Sequence, residues 1–208
     1  MPLFQRLIAS LIFTLSLSFN AYAEVDTENP IVVIFTNKGD ITLELYPNEA
    51  PVTVANFLNY VETGFYEGTI FHRVIQRFMI QGGGMTEDMN KKTNNPPIVN
   101  ESVDGLPNDH LTIAMARTND PDSATSQFFI NVKNNNSLDS QQGEPGYTVF
   151  GKVIDGDYVV EAIEKVATHT VSHFSDVPVE AIIIEAATIK QPIAEPKSQE
   201  EKSDIEKN

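Results

Sequence analysis

The chain has 208 residues with a formal net charge of −15 at pH 7, and 41% of its residues are hydrophobic. This length and composition predict one folded domain, or at most two, with an ordinary hydrophobic core. The acidic charge argues against a nucleic-acid partner, because phosphate backbones are bound by clustered Lys and Arg side chains. The absence of cysteine excludes disulfides, thiolate metal sites and cysteine nucleophiles.

The first 23 residues have the pattern of a signal peptide. Arg6 precedes a mostly apolar run from Leu7 to Phe19, and Ala21 and Ala23 have the small-residue spacing that signal peptidase needs. The run is shorter than the roughly 20 apolar residues of a membrane span. We therefore expect cleavage after Ala23 and export without a membrane anchor, to the periplasm if the source has an outer membrane and otherwise to the medium. The alternative is an uncleaved interfacial helix or a buried strand.

The mature region begins with a predicted β-hairpin. Residues 31–35 form an apolar, β-branched run, and Ile41, Leu43 and Leu45 then alternate with polar residues, as in a half-buried strand. Residues 37–40 are turn formers and connect the two strands.

An amphipathic helix is predicted over residues 51–62. Val54, Phe57, Leu58 and Val61 follow the i, i+3, i+4, i+7 spacing of one helix face. Pro51 suits the first turn of this helix. Gly64, which follows the range 51–62, suits the C-terminal cap.

Further short apolar runs, separated by turn-rich segments, predict a series of strands at 70–75, 78–81, 111–116, 128–132, 149–154 and 179–189. A second helix is predicted after Gly156, from the spacing of Val160, Ile163 and Ala167. Many short strands with two helices indicate a mainly β barrel or sandwich. The domain is thus assigned to residues 24–190, and the charged segment 191–208 is predicted to be a disordered tail.

Most side chains that could carry metal or phosphate chemistry have an ordinary explanation. His169 and His173 have the spacing of metal ligands on a helix, but the residues between them are poor helix formers. The glycine run 82–84 lacks the lysine of a phosphate loop and is interpreted as a strand end with a tight turn. We expect neither a metal nor a cofactor.

The three arginines beyond Arg6 lie in or beside apolar segments. Arg73 and Arg77 fall within the segment 71–83, and Arg117 directly follows the apolar run at 111–116. A cation among apolar strand residues needs a reason, because burying a charge is costly unless it is paired. On so acidic a chain, this clustering favours a functional site over ordinary surface charges.

Three long motifs in these segments resemble the cyclophilin family of peptidyl-prolyl cis–trans isomerases. They are FHRVIxxFMIQGG from Phe71, SQFFIN from Ser126 and GYxVFGKV from Gly146. The segment MARTNDPDSATSQFFIN is similar to the exported bacterial members, and the match extends from about Ile31 to Lys190. The resemblance implies a closed eight-stranded antiparallel β-barrel capped by two α-helices.

The resemblance also implies a role for each matching residue. Arg73 is expected to be the catalytic hydrogen-bond donor to the prolyl nitrogen, with His72 supporting it. The expected substrate contacts are an apolar proline pocket (Phe78, Met79, Phe129 and Leu138), polar contacts (Gln81 and Gln127, with Gln81 orienting Arg73 or the peptide), the surface that holds the residue before proline (Ala116 and Arg117), and Tyr147, where many eukaryotic members have histidine. Without the resemblance, the apolar residues of this set would be assigned to the barrel core.

One departure from the family pattern concerns an inhibitor. Ser137 stands where the family has its cyclosporin-binding tryptophan, and serine supplies neither the apolar wall nor the indole donor. We therefore expect weak cyclosporin binding.

The leading hypothesis is a monomeric, exported prolyl isomerase whose partners are proline-containing polypeptides, in particular exported proteins that are still folding. The second is a chaperone-like module that only holds such segments. The third is a structural or adhesive surface protein that uses its acidic tail to interact. Retention of Arg73, Phe78, Gln81 and Phe129 favours the first.

Overall fold

The computed structural model describes residues 29–190. The predicted signal peptide, 1–23, and the predicted tail, 191–208, lie outside the described residues. Within the described range the strands are β1 (Ile31–Thr36), β2 (Gly39–Leu45), β3 (Thr69–Ile70), β4 (Arg73–Ile75), β5 (Met79–Gly82), β6 (Thr112–Met115), β7 (Phe128–Asn131), β8 (Val149–Asp155), β9 (Thr168–Val171), β10 (Phe174–Pro178) and β11 (Ile183–Lys190), and the α-helices are α1 (Pro51–Glu62) and α2 (Asp157–Glu164). The predicted mainly β fold with two helices is confirmed.

Nine of these strands form one antiparallel sheet in the order β3-β11-β1-β2-β8-β6-β7-β5-β4. The strands at its two edges, β3 and β4, are separated in the chain only by Phe71 and His72. This short connection brings the two edges towards each other, so the sheet curls around its core.

The expected closed eight-stranded barrel is not confirmed. The sheet has nine strands, and between residues 29 and 190 no ladder pairs β3 with β4. The physical reason is that the apolar run 70–75, predicted as one strand, is divided. Its first part pairs with β11 and its second part pairs with β5.

The inner face of the curled sheet is packed by α1. The predicted β1–β2 hairpin and the predicted helix at 51–62 are both confirmed. The ring of Phe57 on α1 lies 5.1 Å from that of Phe150 and 5.8 Å from that of Phe128, measured between ring centres. Burial of each such side chain contributes about 1.5–3 kcal/mol, so this aromatic cluster is a main source of stability.

The N-terminus of α1 is capped from a distant loop. Ala50 occupies the capping position and has no side-chain acceptor. The Glu101 carboxylate replaces it and accepts hydrogen bonds from the backbone N–H groups of Val52 (3.0 Å) and Thr53 (2.8 Å). The loop that contains Glu101 is thereby fixed to the helix.

The segment after residue 164 differs from the sequence prediction. The second helix ends at Glu164 and does not reach Ala167. Residues 168–178 form the separate β9–β10 hairpin, which packs against β4, and the last strand begins only at Ile183. Thr168, Thr170 and Val171 are β-branched and favour strand over helix. In the described part of the chain, no helix is long and apolar enough to cross a membrane.

Candidate active site

Strand alternation divides β4, β5 and β7 between two faces. Val74, Ile80 and Ile130 point into the main core. Their neighbours along the strands point to the other face, where a second, smaller apolar cluster contains Met79 and Phe129. One pattern of alternating residues therefore builds both the core and an outer site.

The sheet register brings the polar residues of this outer face together. Arg73 on β4 pairs with Gln81 on β5, and Gln81 pairs in turn with Phe129 on β7. Ala114 on β6 then pairs with Phe129. Cross-strand partners have Cβ atoms about 5 Å apart, so this row of residues forms one continuous surface.

A cavity of about 120 Å³ opens on this surface. Drug-sized ligands occupy pockets of roughly 300–1,000 Å³, so this cavity suits a group the size of one side chain. Nine of the eleven residues expected at the site line it, from three strands and three loop segments: Arg73, Phe78, Met79, Gln81, Ala116, Arg117, Phe129, Leu138 and Tyr147.

Of the other two residues, Gln127 lies beside the cavity. Gln127 lines a neighbouring cavity of about 120 Å³, which shares Gln81, Ala116 and Arg117 with the first. Gln81 Nε2 donates a hydrogen bond to Gln127 Oε1 at 3.0 Å. Gln81 was expected to orient Arg73 or the peptide, but in this structure its hydrogen bond is to Gln127.

The glycine run explains how Gln127 fits. A Cβ atom on Gly84 would lie 2.3 Å from the Cγ of Gln127. Gly84 thus leaves the space that the Gln127 side chain fills beside Gln81. This packing role agrees with the interpretation of the run as a structural turn.

His72 is buried and does not line the cavity. Its Nδ1 has no hydrogen-bond partner among residues 29–190. Burial lowers the pKa of His72 to about 4, and the charge of Arg73 acts in the same direction. The imidazole is therefore neutral at pH 7.

Arg117 is held as part of the cavity wall. Its Nε, Nη1 and Nη2 atoms donate to the backbone carbonyl oxygens of Gly146 (3.1 Å), Thr118 (2.9 Å) and Pro145 (3.1 Å). Its guanidinium also lies 4.5 Å from the centre of the Tyr147 ring. These contacts leave Arg117 few donors for a ligand and join the two loops that flank the cavity.

Arg73 is held much more loosely. Within the described range its guanidinium has no hydrogen bond, and its one ion pair joins Nε to Oδ2 of Asp176 on β10 at 3.7 Å. Of the two arginines that line the cavity, Arg73 is therefore the one with more donors available to a ligand.

A network of buried side-chain amides that contacts Phe78 was not predicted from the sequence. Asn135 Nδ2 donates to Asn131 Oδ1 and to the carbonyl oxygen of Phe78, both at 2.7 Å. Asn131 Nδ2 donates in turn to Thr112 Oγ1 at 2.9 Å. The one sequence signal was Asn131 itself, a polar residue at the end of an apolar strand.

The two histidines with metal-ligand spacing lie on the β9–β10 hairpin. His169 is on β9, where it pairs with Val177, and His173 is in the turn, with its ring centre 4.0 Å from that of Phe174. Across residues 29–190, no group of three or more His, Cys, Asp or Glu side chains is placed to hold a metal ion.

Comparison with known families gives a direct match to the whole described domain. Residues 31–189 match the family model described as cyclophilin type peptidyl-prolyl cis-trans isomerase/CLD. The chain belongs to the cyclophilin-type peptidyl-prolyl cis–trans isomerases. The resemblance noted in the sequence motifs is therefore confirmed, and so is the assignment of the chain as an enzyme of this class.

Individual cyclophilins agree with this assignment. The chain is 55% identical to a peptidyl-prolyl cis-trans isomerase of Streptomyces antibioticus over 161 residues, which cover 76% of this chain and 97% of the relative. It is 48% identical to peptidyl-prolyl cis-trans isomerase A of Dickeya dadantii over 185 residues, 89% of this chain and 97% of the relative.

Solved structures show the same fold. The chain is similar to a cyclophilin type peptidyl-prolyl cis-trans isomerase of Cryptosporidium parvum, with a TM-score of 0.65 and 29% identity over 79% of this chain and 99% of that one. A second structure of the Cryptosporidium protein was determined in the presence of the dipeptide Ala-Pro.

Proposed function

We propose that this cyclophilin isomerises X–Pro bonds by stabilising the twisted transition state, with Arg73 as the donor. Resonance in a peptide bond gives a rotation barrier of about 18–20 kcal/mol. When the bond twists, resonance is lost and the prolyl nitrogen regains a lone pair that can accept a hydrogen bond. A donor aimed at that nitrogen binds the twisted state better than either planar state, and such differential binding accelerates the reaction.

The observation that supports this proposal is the state of the two cavity arginines. Arg117 is occupied by three backbone carbonyl groups, whereas Arg73 lies at the cavity with no hydrogen bond inside the described region. A guanidinium stays charged at every physiological pH and donates in a rigid plane, so it needs no proton transfer to act.

The apolar part of the cavity is the proposed site for the proline ring. Phe129 and Met79 form its floor, and Phe78, Leu138 and Tyr147 border it. The Phe129 and Tyr147 rings meet edge to face, with centres 5.6 Å apart, which fixes the shape of one wall. The Cryptosporidium structure with Ala-Pro supports a proline-containing ligand.

We further propose that the protein is exported and assists the folding of other exported proteins. The signal-peptide pattern of residues 1–23 supports export. N-terminal sequencing of the protein recovered from outside the cytoplasm tests this directly. A first residue of Glu24 supports cleavage after Ala23, and an intact Met1 contradicts it.

Catalysis can be separated from simple holding of peptides with a refolding assay. A substrate protein with a slow, proline-limited refolding phase is mixed with the parent or with Arg73→Ala. We expect the parent to accelerate that phase and the variant to lose the acceleration. Equal acceleration by both contradicts the role of Arg73, and suppression of aggregation by both without acceleration favours a holding function.

A further inference from the structure

Asp176 is the acidic residue that contacts the proposed catalytic arginine. Its Oδ2 lies 3.7 Å from Arg73 Nε, on a hairpin remote in sequence from all the residues expected at the site. The two side chains are 38% and 41% exposed, so solvent screens their attraction. The contact is thus poorly suited to stabilising the fold and well suited to orienting a side chain.

The hairpin is built so that Asp176 can reach Arg73. The β9–β10 register shifts between Phe174 and Val177, which places Asp176 in an irregular step of the strand. Asp176 has a φ of 61°, a left-handed conformation that Asp tolerates better than most residues. Irregular steps of this kind redirect a side chain beside a functional site.

Anchors on the C-terminal side of this step hold the hairpin in place. Val177 is buried, and the backbone N–H of Val179 donates to the carbonyl oxygen of Ala167 at 2.9 Å, which closes the base of the hairpin. β10 also packs against β4, the strand that carries Arg73. The carboxylate is therefore presented from a fixed support.

We propose that Asp176 is a positioning residue for catalysis. Its carboxylate holds the Nε edge of the Arg73 guanidinium, so that the Nη groups face the cavity where the prolyl nitrogen would lie. Orientation of a donor before the reaction avoids the cost of ordering it in the transition state. This inference rests on the proposed role of Arg73.

The test compares the full chain with Asp176→Asn, which keeps the shape and tolerates the left-handed backbone, and with Asp176→Gly, which removes the side chain without backbone strain. We expect kcat for an Ala-Pro peptide to fall about tenfold in both variants, as is usual when a supporting contact is lost, with KM nearly unchanged. A loss in kcat alone marks an interaction made in the transition state.

A spectroscopic readout accompanies the kinetics. The chain has only four arginines, so the Nε–H NMR signal of Arg73 can be assigned by its loss in Arg73→Ala. We expect Asp176→Asn to shift this signal more than those of Arg77 and Arg117. Glu180→Gln is the matched control, because it removes the same charge from an ion pair with Lys38 (3.3 Å) and should change neither kcat nor the Arg73 signal.

The outcomes separate this inference from the proposed function. If Arg73→Ala abolishes activity while both Asp176 variants keep the parental kcat and the Asn variant keeps the Arg73 signal, the role of Asp176 is refuted and that of Arg73 stands. If Arg73→Ala retains activity, both are refuted. If Asp176→Asn lowers kcat but leaves the Arg73 signal unchanged, Asp176 acts independently of Arg73 and the positioning role is refuted.

Discussion

The side-chain amide of Asn135 donates to the carbonyl oxygen of Phe78 at 2.7 Å and thereby connects a loop to the start of β5. The same amide group also donates a hydrogen bond to Oδ1 of Asn131, at the end of β7. Because Phe78 and Leu138 both border the cavity, this buried contact holds two parts of its rim at a fixed separation.

Replacing Asn135 by alanine should destabilise the protein and loosen the site. The change leaves Asn131 Oδ1 without a partner and removes one of the two hydrogen bonds to the Phe78 carbonyl, at a cost of about 1–3 kcal/mol in the free energy of unfolding. We expect a raised KM for proline peptides as well. Urea unfolding and peptide kinetics check both effects, with the exposed neighbour Asn136→Ala as control. Equal stability of the two variants contradicts the prediction.

Removal of the distant cap on α1 should also lower stability. Glu101→Ala deletes the acceptor for two backbone N–H groups and for the Thr53 hydroxyl. We expect the free energy of unfolding to fall by about 1–2 kcal/mol, in the upper range for helix caps. Glu101→Gln should lower it less, because the amide keeps one acceptor oxygen. Thermal unfolding measures this loss of stability. Glu87→Ala, at an exposed loop residue, is the matched control. A loss that is equally large in that control would argue against capping.

His72 should make stability depend on pH in the acid range. Its pKa is lowered by burial from 6.5 to about 4, so the unfolded chain binds a proton more readily than the folded protein between these values. The contribution of a neutral His72 to the free energy of unfolding is therefore fully present above about pH 6.5 and is lost as the pH falls towards 4. At about 1.4 kcal/mol per pKa unit the full effect is about 3 kcal/mol.

Urea unfolding between pH 4 and 8 measures this dependence in the parent and in His72→Gln. We expect a shallower slope in the variant over the window from about pH 6.5 to 4, and His110→Gln serves as the control for loss of an exposed histidine. Parallel curves for parent and His72→Gln would exclude His72 as the source.

Ser137 gives a prediction for inhibitor binding. It is exposed beside Leu138 and does not line the cavity, so the wall that a tryptophan would supply is missing. We expect the parent to bind cyclosporin weakly and Ser137→Trp to bind it at least about tenfold more tightly, in line with buried aromatic anchors. Calorimetry on both proteins, with Asn136→Trp as control, measures this. Submicromolar affinity of the parent would contradict the prediction.

Much of the fold could be predicted from local patterns. The alternation of Ile41, Leu43 and Leu45 and the helical spacing of Val54, Phe57 and Val61 each depend on neighbours in the chain, and these elements are confirmed. The division of the run 70–75 could not be seen locally, because it depends on which strands pair with its two halves.

The site was predictable for the residues inside the motifs and not for their supports. The resemblance to the cyclophilin family indicated the nine residues that line one cavity. It did not indicate Asp176 or Asn135, whose importance depends on contacts across long stretches of chain with Arg73 and Phe78. A polar side chain in a loop carries no local sign of the partner that it will meet.

The most direct test of the Arg73 mechanism is NMR exchange on an Ala-Pro peptide, with the parent, Arg73→Ala and Arg77→Ala at matched concentrations. Arg77 is an exposed arginine in the same β4–β5 hairpin and serves as the control for lost charge. We expect cis–trans exchange broadening with the parent and Arg77→Ala and its loss with Arg73→Ala. Undiminished exchange with a folded Arg73→Ala variant would contradict the proposed role of Arg73.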